Sequence, residues 1–230
     1  MYQIAIDGHS GSGKSSFAKG LAKELGFYYL NTGEIYRAMA CAYKEKGYGK
    51  PDDEKIAHFV KDLNVKVLFE DGRQVVYVNG KSYTPYLRLE KISDLTSQIS
   101  PYKILRDQVL DVQRTFAKEN NVVMEGRDIG SHVLPDAGVK IFLTADAKTR
   151  AERRYNELSP DDKAKTSLQE VLADLQERDY RDEHREVAPL IVVKDAVVLD
   201  NSKLNLDQTI EKGIEIVRNT LKDADNSKGL

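Results

Sequence analysis

Short apolar runs separated by helix-like segments dominate the pattern of this chain. The first run covers residues 2–7, is mostly apolar and stops at Gly8, which is typical of a buried β-strand. A helical pattern follows, because apolar residues recur every four positions from Phe17 to Leu25, and Gly26 then acts as a stop signal. A strand, a glycine-rich turn and a helix in this order predict the opening of a βαβ unit.

Four later apolar runs resemble the first and alternate with segments that are compatible with helices. Such alternation predicts an α/β fold in which a parallel sheet is covered by helices on both faces. The four runs are Tyr28 to Leu30, Asn121 to Met124, Val139 to Leu143 and Ala196 to Leu199.

Residues 64–84 break this scheme with an alternation of period two. Apolar side chains alternate over residues 65–69 and again at Val75 and Tyr77, as they do in half-buried strands. Two dipeptides that favour type I′ hairpin turns separate these runs: Asp71-Gly72 and Asn79-Gly80. We therefore predict a small antiparallel sheet inserted into the parallel fold.

Length and composition narrow the class of protein. The chain has 230 residues, of which 40% are hydrophobic and 31% charged, which suits one α/β domain with a modest insertion. The formal net charge of −2 gives no general reason to expect binding to nucleic acid or to an acidic membrane. Any affinity for phosphate must therefore come from the local placement of arginines and lysines.

Cysteine content and the N-terminal segment bear on location. Cys41 is the only cysteine, so no intramolecular disulfide can form, and its apolar surroundings predict a buried side chain. The N-terminal residues lack the basic and apolar regions of a signal peptide, and no apolar run approaches the ~18 residues that span a bilayer. We expect a cytoplasmic protein with no membrane partner.

Residues 8–15, GHSGSGKS, match the phosphate-binding pattern G-x-x-x-x-G-K-[ST] in full. Glycines leave room for backbone N–H groups to surround a phosphate, and the helix that follows points its positive end at the same place. Lys14 is expected to reach the β- and γ-phosphates, and the Ser15 hydroxyl to bind Mg²⁺. His9 is expected only to fill the loop. The predicted nucleotide-binding residues are Gly8, Ser10, Gly11, Ser12, Gly13, Lys14, Ser15 and Ser16.

Arginines that follow predicted strands favour a kinase with a small anionic acceptor over other P-loop proteins. The chain lacks the Asn-Lys-x-Asp sequence with which GTPases read guanine, and it is short for an ATPase with partner domains. Arg37 follows the second strand and Arg127 the next, and ligands of open α/β sheets lie beyond the carboxyl ends of strands. Either arginine alone would be interpreted as a surface ion pair, but together beside a P-loop they indicate an acceptor phosphate.

One predicted helix face changes from apolar to charged near its end. The positions that share this face, at spacings of four, three, four and three, are Val171, Leu175, Arg178, Asp182 and Arg185. Charges that continue an inward-facing stripe require a ligand or each other. The alternative is a solvated helix end on which Arg178 pairs with Asp182. We expect the helix to end before Ala188-Pro189.

A cluster of arginines after the strand at 139–143 suggests a lid. Arg150, Arg153 and Arg154 precede a predicted loop at residues 159–162. Closure of such a segment would place positive charge on the transferring phosphoryl group and exclude water. A solvated helix is the alternative interpretation of the same cluster.

The motifs together resemble bacterial cytidylate kinases, from the P-loop to about residue 217. The inserted meander at residues 64–84 matches the substructure that sets this family apart from other nucleoside monophosphate kinases. The motifs that carry the resemblance are IDGHSGSGKSS, NTGEIYRA, TSQIS with Arg106 downstream, EGRDIGSHVLPDA, VKIFLTA, ERDYRDEHREVAPL and DAVVLDNS.

The resemblance implies a function for each acceptor-side motif. It places the cytosine ring against Ser97, Arg106 and Asp128, and the acceptor phosphate against Arg37 and Arg127. It places ribose and phosphate near Arg178, Asp182 and Arg185, adds Thr32 to the CMP-binding residues, and puts the adenine of ATP near Arg153 or Arg154 and the loop after Leu199.

Several positions depart from the family pattern. Asn31 stands where the family usually has Asp, Glu34 where a small residue is common, and Glu125 where Asp precedes the GRD sequence. His9 replaces the usual Pro, and Glu183-His184 are also unusual. Glu125 keeps a carboxylate that can order Mg²⁺-bound water at a longer reach, so the departures remove no group that the chemistry requires.

The resemblance implies an ATP-dependent kinase that phosphorylates CMP and dCMP by direct in-line transfer, with Mg²⁺. We expect a monomer, because no obvious apolar interface demands an oligomer, and no nucleic-acid partner, because the net charge is only −2. Its catalytic residues would be Lys14, Arg127, Arg150 and Arg154. The predicted single domain comprises a core (about 1–30, 103–146 and 186–222), an acceptor lobe (31–102), a lid (147–185) and a disordered tail (223–230). A kinase for another small acceptor, such as UMP or shikimate, and a non-catalytic nucleotide-binding module are the alternatives.

Overall fold

A computed structural model of the chain describes residues 1–87 and 90–227 and contains two β-sheets. The strands, numbered along the chain, are β1 (Gln3–Asp7), β2 (Tyr28–Asn31), β3 (Val65–Glu70), β4 (Arg73–Val78), β5 (Lys81–Ser82), β6 (Val122–Glu125), β7 (Val139–Thr144) and β8 (Val197–Asp200). Five of them form a parallel sheet in the order β2-β6-β1-β7-β8. The parallel α/β fold predicted from the apolar runs is confirmed, with strand bounds shifted by one residue.

The helices connect the parallel strands and cover both faces of the sheet. They are α1 (Lys14–Leu25), α2 (Thr32–Glu45), α3 (Asp53–Lys61), α4 (Glu90–Ile99), α5 (Lys103–Glu119), α6 (Ala147–Glu157), α7 (Pro160–Lys163), α8 (Leu168–His184) and α9 (Leu206–Ser227). A 3₁₀ turn (Thr84–Tyr86) and a π-helical turn (Ile129–Val133) complete the backbone. Within the described residues, no helix is both long and apolar enough to cross a membrane.

Two hydrophobic cores lie on opposite faces of the parallel sheet. On one face, α1 and α9 bury Phe17, Leu21 and Val217 against the sheet. On the other face, α2 and α5 pack with the inserted strands around residues such as Met39 and Leu105. Because apolar layers cover the sheet on both sides, the sequences of its parallel strands are continuous apolar runs.

Three local expectations differ from the structure. The loop predicted at residues 159–162 is the short helix α7, because Ser159 caps its first turn by accepting the backbone N–H of Asp162. Helix α8 ends at His184, so Arg185 is the first residue beyond it, with extended backbone angles. The predicted tail begins inside α9, which continues to Ser227 because each added residue gains a helical hydrogen bond. Residues 228–230 lie outside the described residues.

The inserted antiparallel sheet, β3-β4-β5, confirms the predicted meander. Asp71, Gly72, Asn79 and Gly80 all have positive φ, as the two type I′ turns require. The buried face of β4 is not the one that Val75 and Tyr77 suggested: Gln74, Val76 and Val78 face the core instead. Both faces of β4 carry apolar residues, so packing against α2 decides which one is buried.

The contact between α1 and α9 predicts opposite effects for two glycine substitutions. A Cβ at Gly213 would lie 2.5 Å from the ring of Phe17, which is fully buried and cannot move away. We expect Gly213→Ala to lower the free energy of unfolding by about 1 kcal/mol, because overpacking of about 1–3 kcal/mol exceeds the helix-propensity gain of roughly 1 kcal/mol.

Gly20→Ala, on the same interface, is the matched control. Its Cβ would meet Cδ1 and Cγ1 at the end of the Ile210 side chain, which is half-buried and can rotate away. We expect this variant to be at least as stable as the parent protein in urea denaturation. Equal losses of stability for both alanines would contradict the described packing.

Candidate active site

The P-loop connects β1 to α1 at the carboxyl edge of the parallel sheet. Gly8, Gly11 and Gly13 adopt positive φ angles of 147°, 73° and 85°, a region that L side chains rarely occupy. A Cβ at Gly8 would overlap the carbonyl oxygen of Leu143, so the loop can approach β7 only with glycine there. The loop therefore has the backbone form that surrounds a phosphate with N–H groups at the start of α1.

The Lys14 side chain is buried and folds back over the loop. Its Nζ donates to the carbonyl oxygen of His9 at 2.5 Å and lies 3.4 Å from the Ser12 hydroxyl. Burial, together with the positive charge of Arg127, lowers the Lys14 pKa to about 7. A triphosphate bound in the loop would supply the negatively charged partner that the Lys14 ammonium group lacks.

Arg150 holds the P-loop from behind and does not face the cleft. Its guanidinium donates to the carbonyl oxygens of Ala145 and Ser10 at 3.1 and 3.0 Å and pairs with Asp179. Asp179 also accepts the backbone N–H of Ser10 at 3.2 Å. The contacts make Arg150 a support of the loop, whereas the sequence had placed it among the lid arginines.

Arg153 and Arg154 lie on α6 with different surroundings. Arg153 donates to the side-chain and backbone oxygens of Asn201 at 3.0 and 2.9 Å, and the Asn201 amide donates to the carbonyl of Ser12. These bonds connect the P-loop with the loop after β8, where the adenine was expected. Arg154 is partly exposed and pairs with Glu157 at 3.3 Å.

Asp7, the last residue of β1, links the P-loop to the segment after β6. Its carboxylate accepts the backbone N–H groups of Ile129 and Gly130 at 2.8 and 2.7 Å, at the start of the π-helical turn. Burial raises the Asp7 pKa to about 6, although these two hydrogen bonds oppose the shift. The donor loop and the segment that carries Arg127 and Asp128 are therefore fixed relative to each other.

Asp128 lies buried between two arginines. One carboxylate oxygen pairs with Arg106, and the other accepts from Arg185 at 3.2 Å. Arg106 also donates to the carbonyl of Ser100 at 3.2 Å, and its guanidinium lies 5.6 Å from the centre of the Tyr36 ring. The structure thus brings together Arg106, Asp128 and Arg185, which are distant in the sequence.

Asp182 pairs with Arg127 across the cleft at 2.7 Å. Both side chains are largely buried, so α8 is tied to the segment after β6 by a shielded ion pair. The alternative interpretation of the α8 face, an intrahelical pair between Arg178 and Asp182, is not what the structure shows. The charged face meets the protein and not solvent.

Four cations converge on the space between the P-loop and α8: Lys14, Arg37, Arg127 and Arg178. Burial lowers the pKa of the Arg37 and Arg178 guanidiniums, and the charge of Arg127 adds to both shifts. Arg178 pairs with no carboxylate among the described residues, and its Nε has no hydrogen-bond partner. A half-buried cation without a carboxylate partner is unfavourable beside other cations unless an anion joins it.

A cavity of about 330 Å³ opens beside the Asp128 and Asp182 pairs. Ser97, Ser100, Asp182 and Arg185 line it, together with part of the exposed Tyr180 side chain. The volume lies in the range of small-molecule sites. Ser97 and Arg185, which the sequence assigned to the acceptor, therefore share one cavity.

The oxygen atoms near Ser15 fit a magnesium ion. The Tyr29 hydroxyl donates to Glu125 at 2.5 Å and also contacts the Ser15 hydroxyl. The buried Glu125 carboxylate and Ser15 therefore lie on one side of the P-loop, and both supply the hard oxygen ligands that Mg²⁺ prefers. The described residues contain no cluster of three or more His, Cys, Asp or Glu that could hold a metal ion.

Three residues of the site were missed in the sequence: Tyr29, Asp179 and Asn201. Asp179 lies four residues after Leu175 and therefore on the same side of α8. The charged face of α8 thus includes one position more than those considered in the sequence. Tyr29 follows no motif that distinguishes it from core residues, and Asn201 lies in the DAVVLDNS motif without a predicted function of its own. Only the pairing of β2 with β6 and of β7 with β8 brings them to the P-loop.

A parallel sheet with a P-loop at its carboxyl edge, and a cavity beside it that Asp182 and Arg185 line, define a P-loop kinase. The family model described as cytidylate kinase matches residues 4–219. The chain therefore belongs to the cytidylate kinase family, whose members phosphorylate CMP and dCMP with ATP.

Curated relatives agree over the whole length. The cytidylate kinase of Thermotoga neapolitana is 41% identical, with 96% of this chain and 99% of the relative covered. That of Citrifermentans bemidjiense is 40% identical, with 98% and 96% covered. That of Lactobacillus gasseri is 38% identical, with 96% of both chains covered.

The lowered pKa of Lys14 predicts proton uptake when ATP binds. Because the pKa is about 7 in the free protein, Lys14 is mostly neutral at pH 8, and the triphosphate favours its charged form. At this pH we expect binding to take up close to one proton, and the ATP affinity to fall as the pH rises above 7. Calorimetry at pH 8 in buffers of different ionisation enthalpy measures this.

Lys14→Arg is the control for this measurement, since a guanidinium stays charged throughout. We expect the buffer dependence of the binding enthalpy to disappear in the variant. A parent protein without buffer dependence would show that Lys14 is already charged before ATP arrives.

Proposed function

We propose that the acceptor phosphate of CMP binds among Arg37, Arg127 and Arg178, in line with the γ-phosphate of ATP in the P-loop. The observation that carries this proposal is the Arg178 guanidinium, which pairs with no carboxylate among the described residues and has an Nε without a hydrogen-bond partner, close to the Arg127–Asp182 pair. Phosphoryl transfer needs positioning and charge stabilisation more than covalent chemistry. The residues act by holding two anions together that would otherwise repel each other.

The base-binding part of the proposal rests on Ser97, Arg106 and Asp128. Asp128 offers carboxylate oxygens to the N4 amino group of cytosine, while Arg106 and Ser97 offer donors to N3 and O2. Arg106 and Arg185 already hold the Asp128 carboxylate in place, so little rearrangement is needed. A uracil ring presents a carbonyl oxygen at position 4, which the carboxylate would repel.

The sugar and the flanking phosphate contacts fall to Asp182 and Arg185, with Thr32 at the start of α2. Asp182 can accept a ribose hydroxyl while keeping its ion pair with Arg127. Thr32 donates to the carbonyl of Glu125 at 2.8 Å, which holds the first turn of α2 against the sheet. The 3′-hydroxyl, present in both CMP and dCMP, suffices for this contact.

On the donor side, the P-loop backbone from Gly8 to Ser16 surrounds the phosphates, and Lys14 moves from the His9 carbonyl to the β- and γ-phosphates. Mg²⁺ that arrives with ATP would be held by Ser15, and by Glu125 through water, and would neutralise phosphate charge. Arg154 turns from Glu157 to the transferring group when the lid closes, Arg153 lies against the adenine, and Arg150 keeps the loop in place. The division into core, acceptor lobe and lid, and a monomeric state, stay predictions.

A substrate panel tests the acceptor. We expect faster transfer to CMP and dCMP than to UMP, and faster transfer to UMP would overturn the proposed base site. A coupled assay of ADP release with CMP and Mg²⁺ also tests the alternative of a non-catalytic module, which would release no acceptor-dependent ADP. Lys14→Ala should abolish release in this assay.

Asp128→Ala tests recognition of cytosine. The change removes the proposed acceptor for the N4 amino group and leaves Arg106 and Arg185 without their carboxylate. We expect the KM for CMP to rise by about 10-fold to 150-fold while the KM for ATP stays within about twofold, since a charged hydrogen bond is worth about 1.5–3 kcal/mol. Normal kinetics with CMP would contradict the assignment.

We predict that Arg178→Met raises the stability of the free protein and weakens its binding of CMP. The unpaired, half-buried guanidinium lies near the charges of Arg127 and Arg154, so its replacement relieves repulsion in the free protein. We expect a higher melting temperature without nucleotides together with weaker CMP binding, measured by calorimetry and thermal unfolding. Lower stability and unchanged CMP affinity would show that Arg178 serves the fold and not the acceptor.

A further inference from the structure

Gln74 is a buried polar side chain in the inserted sheet. It occupies the same face of β4 as Val76 and Val78, both of which pack into the core, and only 8% of Gln74 is exposed. A buried amide needs hydrogen-bond partners for its oxygen and for its nitrogen. Among the described residues, Gln74 finds both partners on the backbone of one residue, Asn31.

The two hydrogen bonds replace those that a neighbouring strand would make. Gln74 Oε1 accepts the backbone N–H of Asn31 at 2.7 Å, and Gln74 Nε2 donates to the Asn31 carbonyl at 3.0 Å. Strand β2 is the edge of the parallel sheet and pairs with β6 on its other side. The Gln74 side chain therefore provides the hydrogen bonds for the last residue of β2 on its free edge, where no further strand pairs with it.

Asn31 is the point at which β2 becomes α2. Its side chain caps the helix by accepting the backbone N–H of Glu34 at 3.2 Å, and its backbone has the extended angles of a cap residue. Helix α2 then presents Arg37, whose guanidinium would lie 3.3 Å from a Cβ placed on Gly33. The first turn of α2 and Arg37 thus take their position from the backbone that Gln74 holds.

We propose that Gln74 is a positioning residue for the acceptor phosphate, through which the inserted sheet fixes the start of α2 and the guanidinium of Arg37. The inference rests on the proposed phosphate site at Arg37. The donor site depends on other contacts, because the P-loop is held by Arg150, Asp179 and Asn201. Loss of the Gln74 side chain should therefore weaken the binding of CMP and leave the binding of ATP unchanged.

Gln74→Ala tests this with steady-state kinetics and with CMP binding in the absence of ATP. We expect the KM for CMP and its dissociation constant to rise about tenfold, with the KM for ATP within about twofold, because two buried hydrogen bonds to Asn31 are lost. Val76→Ala is the matched control, since it leaves a cavity in the same buried row without touching Asn31. It should lower stability without a comparable shift for CMP.

Gln74→Glu adds a measurement that would not change if Gln74 only stabilised the fold. An ionised carboxylate keeps the bond to the Asn31 N–H but sets a second oxygen against the Asn31 carbonyl. Protonation restores a donor there, and burial favours the neutral form. We expect the ratio of variant to parent KM for CMP to be highest near pH 8 and to fall as the pH is lowered towards about 5.

Arg37→Ala separates the possible failures. If Arg37→Ala raises the KM for CMP and Gln74→Ala does not, the positioning role is wrong and the phosphate site stands. If neither variant shifts it, the phosphate site is wrong and this inference falls with it. Equal shifts for CMP and ATP in Gln74→Ala, or a shift for CMP as large in Val76→Ala, would also overturn the role.

Discussion

The concentration of positive charge at one edge of the parallel sheet is the constraint on which the rest of the structure depends. Lys14, Arg37 and Arg178 lie close to Arg127, and burial lowers the pKa of all three. Like charges kept together away from water are unfavourable, so the surrounding fold must hold them there. The carboxylate of Asp182 forms its ion pair with Arg127, and Arg178 pairs with no carboxylate among the described residues.

Rigid elements on every side of the cleft supply that support. Asp7 fixes the segment after β6 to the end of β1, Asp179 and Arg150 fix the P-loop to α8, and Gln74 fixes the start of α2. Each of these contacts joins a side chain to backbone or to an opposite charge in a buried place. Sites held in this way keep their geometry without reorganising at the moment of transfer.

Departures from the family pattern contact other residues in ways that explain how they fit. His9 in the P-loop lies 2.7 Å from Glu183 on α8, so two unusual residues form one contact. Glu125 accepts a hydrogen bond from the hydroxyl of Tyr29. Asn31 keeps the capping function of an Asp through its side-chain oxygen, while its amide donates to Tyr29 at 3.2 Å.

The sequence by itself determined the alternation of strands and helices, the P-loop and the inserted meander, because periodicity and glycine spacing act locally. The predictions for most acceptor-side residues, including Arg106 and Asp128, came from the resemblance. Tertiary structure alone decided which face of β4 is buried, that Arg150 supports the loop, and that Asp182 pairs with Arg127 and not with Arg178. Such outcomes depend on which residues meet across distant segments, and a buried charge takes the partner that the whole fold brings within reach.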